Sequence, residues 1–572
     1  MIKQAIRLSL AGTLLMLCSY CANMKAPGGG PEDIYPPIVV ESFPPNYSTF
    51  FEAEKVILKF DEFVSVSDVS KEVFISPPLQ TTPEIITRGK SVIITFNEAL
   101  LDSTTYSIFF GNAIKDISEG NALENYNYVF STGGKIDSLS VVGEVLDAFM
   151  LKPREAVLVM LYEDDNDTIP FDSLPYLVKP SYLTRTSAEG FFVINNLRGG
   201  EYALFALADN NMSATYDNED EEIAFLDSLI APEYLAPVPA DSLLSDSLAV
   251  ADSLTADLPL EDFYTLFMFK EVDSTQRLLE ADKPRERLLR FIFRYPAADI
   301  NIEPLTAVSE DWMLSEWNKG YDTLRYYIMD ESMDTISLKI SLDTIVFDTL
   351  SYSLNEEVLP QRKKDRKGAK ALKVTASKIK PFPYYKKYWL TSGYPIIGHD
   401  FPRISLFEGE DTLSPEMLVY GQANRMLRLD HDLKEGVNYT LFLPDSVLYD
   451  LLGKSNDTTV FNFTTDAEED YGVYTINITN NSSSENLIIQ LLTENEKLLR
   501  SAFVQSEGAI RWDYLKPGKY LIKASGDLNG NGMWDTGDFL GRRQPEPVVF
   551  HTDILQVREA WSFDLEWSVT FK

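Results

Sequence analysis

Oxygen-bearing side chains recur through DLNGNGMWDTGD, residues 527–538, at the first, third, fifth, ninth and twelfth places: Asp527, Asn529, Asn531, Asp535 and Asp538. Gly532 stands sixth, where a calcium loop turns sharply, and the Met533 carbonyl falls seventh, so the spacing suits Ca2+ as a cofactor. Two features depart from a helix-flanked calcium loop. The twelfth residue is Asp, one methylene shorter than the usual bidentate Glu, and KYLIKASG before the loop has the character of a strand. The same side chains would equally serve a loop held by Asx-turn hydrogen bonds to its own backbone. DNNMSATYDNED, residues 209–220, repeats the pattern with Asp209, Asn211, Ser213, Asp217 and Asp220. It has Ala214 at the glycine place, so it is expected to hold calcium more weakly or not at all.

Other chemistry has little to work with. Both cysteines, Cys18 and Cys21, lie in a C-x-x-C pair within LCSYCANMKAPGGGPED. A zinc site needs about four ligands and a redox pair of the thioredoxin kind needs a βαβ setting, and neither is at hand. The three histidines, His399, His431 and His551, are far apart in sequence, and no metalloprotease, serine-hydrolase or phosphate-loop motif is present. Carboxylates are abundant, but none sits in a glycosidase frame. The chain is expected to be no enzyme.

The surroundings of the cysteines explain them better. Lys3 and Arg7 precede the uncharged apolar run LSLAGTLLMLCSY, which is the order of a secretory signal and too short to span a bilayer. The signal with its terminal cysteine and the small, flexible tail ANMKAPGGGPEDIYPP resembles the lipobox of a bacterial lipoprotein. That resemblance makes Cys21 the acylated first residue of the mature chain, although Tyr20 is large where a small residue is usual. The other reading is an ordinary secreted protein whose signal happens to contain cysteines. Three acyl chains, at about 0.8 kcal/mol per buried methylene, would anchor a large body without a membrane helix.

The rest of the composition is that of a folded, exported body. Hydrophobic residues make up 45% and aromatic residues 12%, enough to build cores. Acidic residues number 87 against 51 basic ones, a net charge of -36, which repels nucleic acid and excludes it as a partner. Partners are expected to be the membrane, through the lipid anchor, and an envelope protein or glycan.

The elements that would position any site are strands. KVILKF, SVIITF, YSIFF and YVFST are short, rich in β-branched and aromatic residues, and separated by turn formers. Only SEDWMLSEWNKG (309–320) and the stretch near AFLDSLIAPEYL are expected to hold a turn or two of helix.

Residues 187–220 align without a gap on 505–538 at a constant offset of 318, with Glu189, Gly190, Leu197, Gly200 and Tyr202 matching Glu507, Gly508, Leu515, Gly518 and Tyr520. Upstream, 100–132 aligns on 433–465 at an offset of 333, with Tyr106 on Tyr439 and Phe130 on Phe463. The same pair of β domains therefore occurs twice. The first copy, from PPIVVESFPPNYS through KVILKF to YVFSTG, resembles the bacterial Ig-like domain of the S-layer-protein type, common in lipoproteins of Gram-negative bacteria. The repeated EG-x-F/I…L-x-x-G-x-Y pattern resembles the carboxypeptidase-regulatory or prealbumin-like sandwich. These resemblances imply an all-β fold of tandem sandwiches arranged as an internal duplication, and they imply no reaction.

The resulting division is a signal peptide (1–20), a flexible tether (21–36), an Ig-like sandwich (37–134) and a prealbumin-like sandwich (137–235). An acidic linker (236–262), too poor in bulky residues to fold, leads to a further Ig-like domain (263–360) and a basic linker (361–371). A degenerate Ig-like sandwich (372–466) and a prealbumin-like one with the calcium-like loop (470–572) complete the chain.

A last pattern is statistical. Asp, then Ser or Thr, then Ala, Ile, Leu, Val, Met or Thr occurs sixteen times, where composition predicts about three. Good turns followed by strand openings explain part of this. The pattern also resembles the O-glycosylation sequon of some Gram-negative bacteria, and in the acidic linker, where no strand follows, it implies glycans on Ser242, Ser247 and Ser253.

The expected function is a non-catalytic, lipid-anchored scaffold or binding protein of the cell envelope. The alternative is a glycan-binding or glycan-processing outer-membrane lipoprotein using Trp312, Trp317, Trp512 or Trp534, unless those rings are core. No acidic cluster follows Cys21, so the expected address is the outer membrane, facing the periplasm rather than the cell surface.

Overall fold

A computed structural model describes residues 33–234, 263–354 and 371–571, apart from 125, 165–168, 212, 219, 273–274 and 483. Cys18, Cys21, Ser242, Ser247, Ser253 and nearly all of both linkers lie outside the described residues. The chain divides into two compact units, Met1–Glu271 with Thr536–Pro545, and Val272–Asp535 with Glu546–Lys572.

The first unit begins with a sandwich. One sheet runs Val39–Phe43, Lys55–Phe60, Ser91–Thr95, Glu84–Arg88, and the facing sheet runs Phe74–Ser76, Thr105–Phe109, Asn127–Ser131. The alternation in KVILKF sends Val56, Leu58 and Phe60 inward, where they meet Ile94, Tyr106, Ile108 and Phe130 in one core.

The second sandwich of this unit is built around Leu139–Asp147, paired antiparallel with Phe191–Leu197 and parallel with Phe263–Met268. Its other sheet runs Tyr182–Arg185, Leu158–Glu163, Tyr202–Leu207, Ile223–Phe225. The sheet therefore crosses the boundary expected at 262. Phe263–Met268 does not open the next domain: its Leu266 and Met268 are buried beside Val141 and Val145 and complete this core.

In the second unit, the first sandwich spans Leu278–Arg285 to Ile345–Ser353, in sheets of four and three strands over a core of Phe291, Phe293, Leu324, Ile336 and Leu338. Residues 309–320 hold the strand Met313–Trp317, where helical turns were expected, because pairing with Thr323–Ile328 satisfies its backbone. The stretch after Ile223–Phe225 is likewise turn and bridge. Among the described residues the α-helical turns are instead four-residue pieces, Val69–Glu72 and Leu174–Leu177.

The remaining two sandwiches repeat those of the first unit. The sheet Val374–Ala376, Tyr388–Ser392, Met426–Leu429, Met417–Tyr420 repeats the order of the first sheet of the chain. Gly472–Asn480 is flanked by Glu507–Leu515 antiparallel and Ser562–Val569 parallel, as Leu139–Asp147 is in the first unit.

Hydrogen bonds repeat at the same offsets. The Tyr106 hydroxyl accepts from the Leu101 N–H at 2.9 Å, and the Tyr439 hydroxyl from the Lys434 N–H at 2.8 Å. Tyr202 donates to the Arg198 carbonyl at 3.0 Å and Tyr520 to the Lys516 carbonyl at 2.6 Å. A buried Tyr needs a partner for its hydroxyl, so each copy keeps the ring and the bond together.

Candidate functional site

The two Asp/Asn loops have one hydrogen-bond plan. Asp527 accepts the Asn531 N–H on Oδ1 (3.1 Å) and the Gly532 N–H on Oδ2 (3.1 Å); Asp209 accepts Ser213 (3.2 Å) and Ala214 (2.9 Å) in the same way. Asn529 Oδ1 takes the Asn531 N–H at 3.0 Å, as Asn211 Oδ1 takes that of Ser213 at 2.9 Å. The Met533 N–H donates to Asn531 Oδ1 at 2.7 Å. Gly532 and Ala214 both have positive φ, 81° and 55°, so the first copy makes the sharp turn despite its side chain.

These are the bonds of Asx turns. Asn529 Nδ2 and Asn531 Nδ2 both donate to Asp535 Oδ2 at 2.6 Å, and Asn211 Nδ2 donates to Asp217 Oδ1 at 2.7 Å. A cation at either loop would have to displace those amide donors. Among the described residues, no group of three or more His, Cys, Asp or Glu side chains is arranged to hold a metal ion.

The twelfth-place carboxylates face elsewhere. Asp538 accepts the Gly541 N–H at 2.9 Å, and Asp220 pairs with Lys270 at 2.6 Å and is exposed. The loops are closed instead by two glutamates that the gap-free alignment passes over. Glu546 Oε1 accepts the Leu528 N–H at 2.7 Å and Oε2 the Asp535 N–H at 2.9 Å. Glu221 does the same for Asn210 (3.2 Å) and Asp217 (3.3 Å). Glu221 is 0% and Glu546 3% exposed, and burial pushes both carboxyls above the usual range against the opposing pull of these N–H donors.

Asp217 and Asp535 differ by 318 in number, and Glu221 and Glu546 by 325, so the second copy is seven residues longer between them. That extra length is the stretch that belongs to the first unit. Phe539 is wholly buried there, with ring centroids 5.3 Å from Phe225, 5.8 Å from Phe205 and 5.9 Å from Tyr176. Its N–H donates to Glu271 at 2.7 Å, Gln544 donates to the Phe225 carbonyl at 3.0 Å, and the Arg542 guanidinium lies 4.5 Å over the Phe171 ring.

The other side chains singled out each have neighbours of their own. His431 pairs with Glu408, which Lys434 also contacts, and the hydrogen bond from Lys434 leads in holding that carboxyl below its ordinary range. His399 stacks on Phe401 at 3.8 Å, and His551 bonds within its own turn to Asp553. Trp312 and Trp512 are core residues, 8% and 4% exposed. Trp317 lies between Phe293 and Tyr321, and the Trp534 indole donates to the Glu546 carbonyl at 2.8 Å. Trp561, at 54% exposure, is the open one among tryptophans of the described residues and was not among the candidates. No helix of the described residues is long and apolar enough to cross a membrane.

Residues 33–132 match the family described as bacterial Ig-like domain, a match that covers the first sandwich. No curated protein matches the chain. Among solved structures, the Bacillus anthracis TIE protein is similar at 9% identity over 96% of this chain and 76% of that one, with a TM-score of 0.14. The N-terminal part of the bacterial S-layer protein SbsC is similar at 15% identity over 35% and 44%, TM-score 0.13. The major pilin subunit BcpA of Bacillus cereus is similar at 10% identity over 76% and 99%, TM-score 0.13. Likenesses at such TM-scores carry no argument about this chain.

Proposed function

We propose that this chain is a non-catalytic protein of the bacterial cell envelope, anchored to the outer membrane by an acylated Cys21 and facing the periplasm, whose sandwiches act as a scaffold. The observation that supports it is the repeated pair of sandwiches. What the copies keep in step is packing and backbone hydrogen bonding: the buried tyrosines with their hydroxyl bonds, and the Asx loops. Reactive groups are not among the residues kept. Stiff β units in series hold a partner-facing loop at a fixed distance from an anchor.

The test is metabolic labelling with a fatty-acid probe in the native host. Label on the wild type and none on Cys21→Ala supports the reading; an unlabelled wild-type chain recovered in the aqueous phase of a detergent partition overturns it. Protease treatment of intact cells decides the facing, with protection expected. A glycan-binding role is the second reading. Two of the tryptophans expected to serve it are core, and the observation that favours it is a cleft on the fourth sandwich.

A further inference from the structure

Residues 371–387 carry five lysines, Lys373, Lys378, Lys380, Lys386 and Lys387, and no acidic residue, in a chain where acids outnumber bases 87 to 51. Two of them, Lys386 and Lys387, line a cleft of about 580 Å³ at the sheet edge formed by Val374–Ala376, and Lys378 stands between two lining residues, Ser377 and Ile379. Its floor is apolar and aromatic, with Trp389, Ile379 and Met426. Thr375, Ser377 and Thr391 bring hydroxyls to it.

Charge in this cleft is only partly matched. Lys387 pairs with Asp432 at 2.6 Å and Asp430 at 3.7 Å, and Arg428 with Asp430 at 3.2 Å. Lys373, Lys378, Lys380 and Lys386 make no ion pair among the described residues, and all four are exposed. The Arg428 guanidinium lies 4.6 Å from the Tyr420 ring and 6.0 Å from that of Trp389, and its Nε has no hydrogen-bond partner. The cation open to a ligand in the lining is Lys386, exposed and without an ion pair, while Arg428 adds positive charge from behind the rings.

We propose that this cleft binds an acidic saccharide, a chain of sugar rings bearing carboxylates. The inference rests on the glycan-binding reading and names its substrate class. A sugar ring has a C–H face that stacks on an indole, hydroxyls that bond to Thr and Ser, and, in a uronate, a carboxylate for Lys386. A lipid surface would find its contacts on a protruding face, whereas Trp389 and Met426 are partly buried and line a recess. The size falls within the range of pockets that enclose small ligands.

The experiment is titration calorimetry of the whole chain with polygalacturonate, neutral dextran and phosphatidylglycerol vesicles, for the wild type, K378E/K386E and Trp389→Ala. The expected result is binding of polygalacturonate alone, at least tenfold weaker in each variant and weakened by salt. The lysines of K378E/K386E are exposed, so that variant keeps its fold even where Trp389→Ala does not. Equal binding of dextran overturns the acidic specificity and leaves the glycan reading standing. Binding of no saccharide overturns both. Vesicle binding without polygalacturonate binding assigns the patch to a membrane, and undiminished binding by a folded Trp389→Ala reduces it to surface charge; either result overturns the proposal.

Discussion

Glu546 and Glu221 each bridge two backbone N–H groups from opposite ends of a loop, a task that needs two acceptor oxygens. Glutamine offers one, so Glu546→Gln leaves either Leu528 or Asp535 facing an amide donor, and is expected to cost about 1–3 kcal/mol in denaturant unfolding. The pH dependence has a definite sign. The folded-state carboxyl sits above its ordinary 4.5, so its stabilising share is complete at pH values below that and is lost as pH rises through the raised value. The gap in stability between wild type and Glu546→Gln should therefore narrow from acid toward neutral pH; a gap that widens would contradict the burial argument. Loss of one hydroxyl bond is a smaller matter: Tyr202→Phe and Tyr520→Phe should each cost about 1 kcal/mol and by similar amounts, because the two bonds are equivalent.

At the scale of elements, the seven-residue lengthening of the second Asx loop is the main difference between the copies. Phe539 fills an aromatic cage in the first unit, and Phe539→Ala leaves a cavity there whose expected cost is about 3–5 kcal/mol, read as a lower melting temperature. A melting curve unchanged by the substitution would show that the cage does not need its plug. The loops themselves are held by their own amides. Calcium at millimolar concentration, or a chelator, is expected to leave the melting temperature where it was, and a rise with calcium would show that a cation has taken Asp535 from its two amide donors.

For the whole molecule, the parallel strand Phe263–Met268 makes the second sandwich discontinuous in sequence. A fragment ending at residue 234 lacks that strand and exposes the row Val142–Asp147 as an unpaired edge, so it is expected to be insoluble or unfolded by circular dichroism, whereas the full chain is not. If Ser242, Ser247 and Ser253 bear glycans, intact mass of the native chain should exceed peptide plus lipid and fall stepwise in the three Ser→Ala variants.

Strand positions, their inward faces and the duplication were legible in the sequence, because alternation in KVILKF or SVIITF and the step of 318 or 333 between copies are local or directly comparable properties. The candidate site was legible only in part. Asp527 and Asp209 stand where the spacing put them, but the closing glutamates fall outside any fixed spacing once seven residues intervene. The strand at Met313–Trp317 is not legible locally, because its partner, Thr323–Ile328, is what satisfies its backbone. What the sequence determined by itself is the set of strands, the charge balance and the repeat, all of which follow from side-chain chemistry read in order. Where Phe263–Met268 pairs, where Phe539 is buried, and which carboxylate closes each loop were decided by tertiary structure, since each depends on burial against residues far away in the chain.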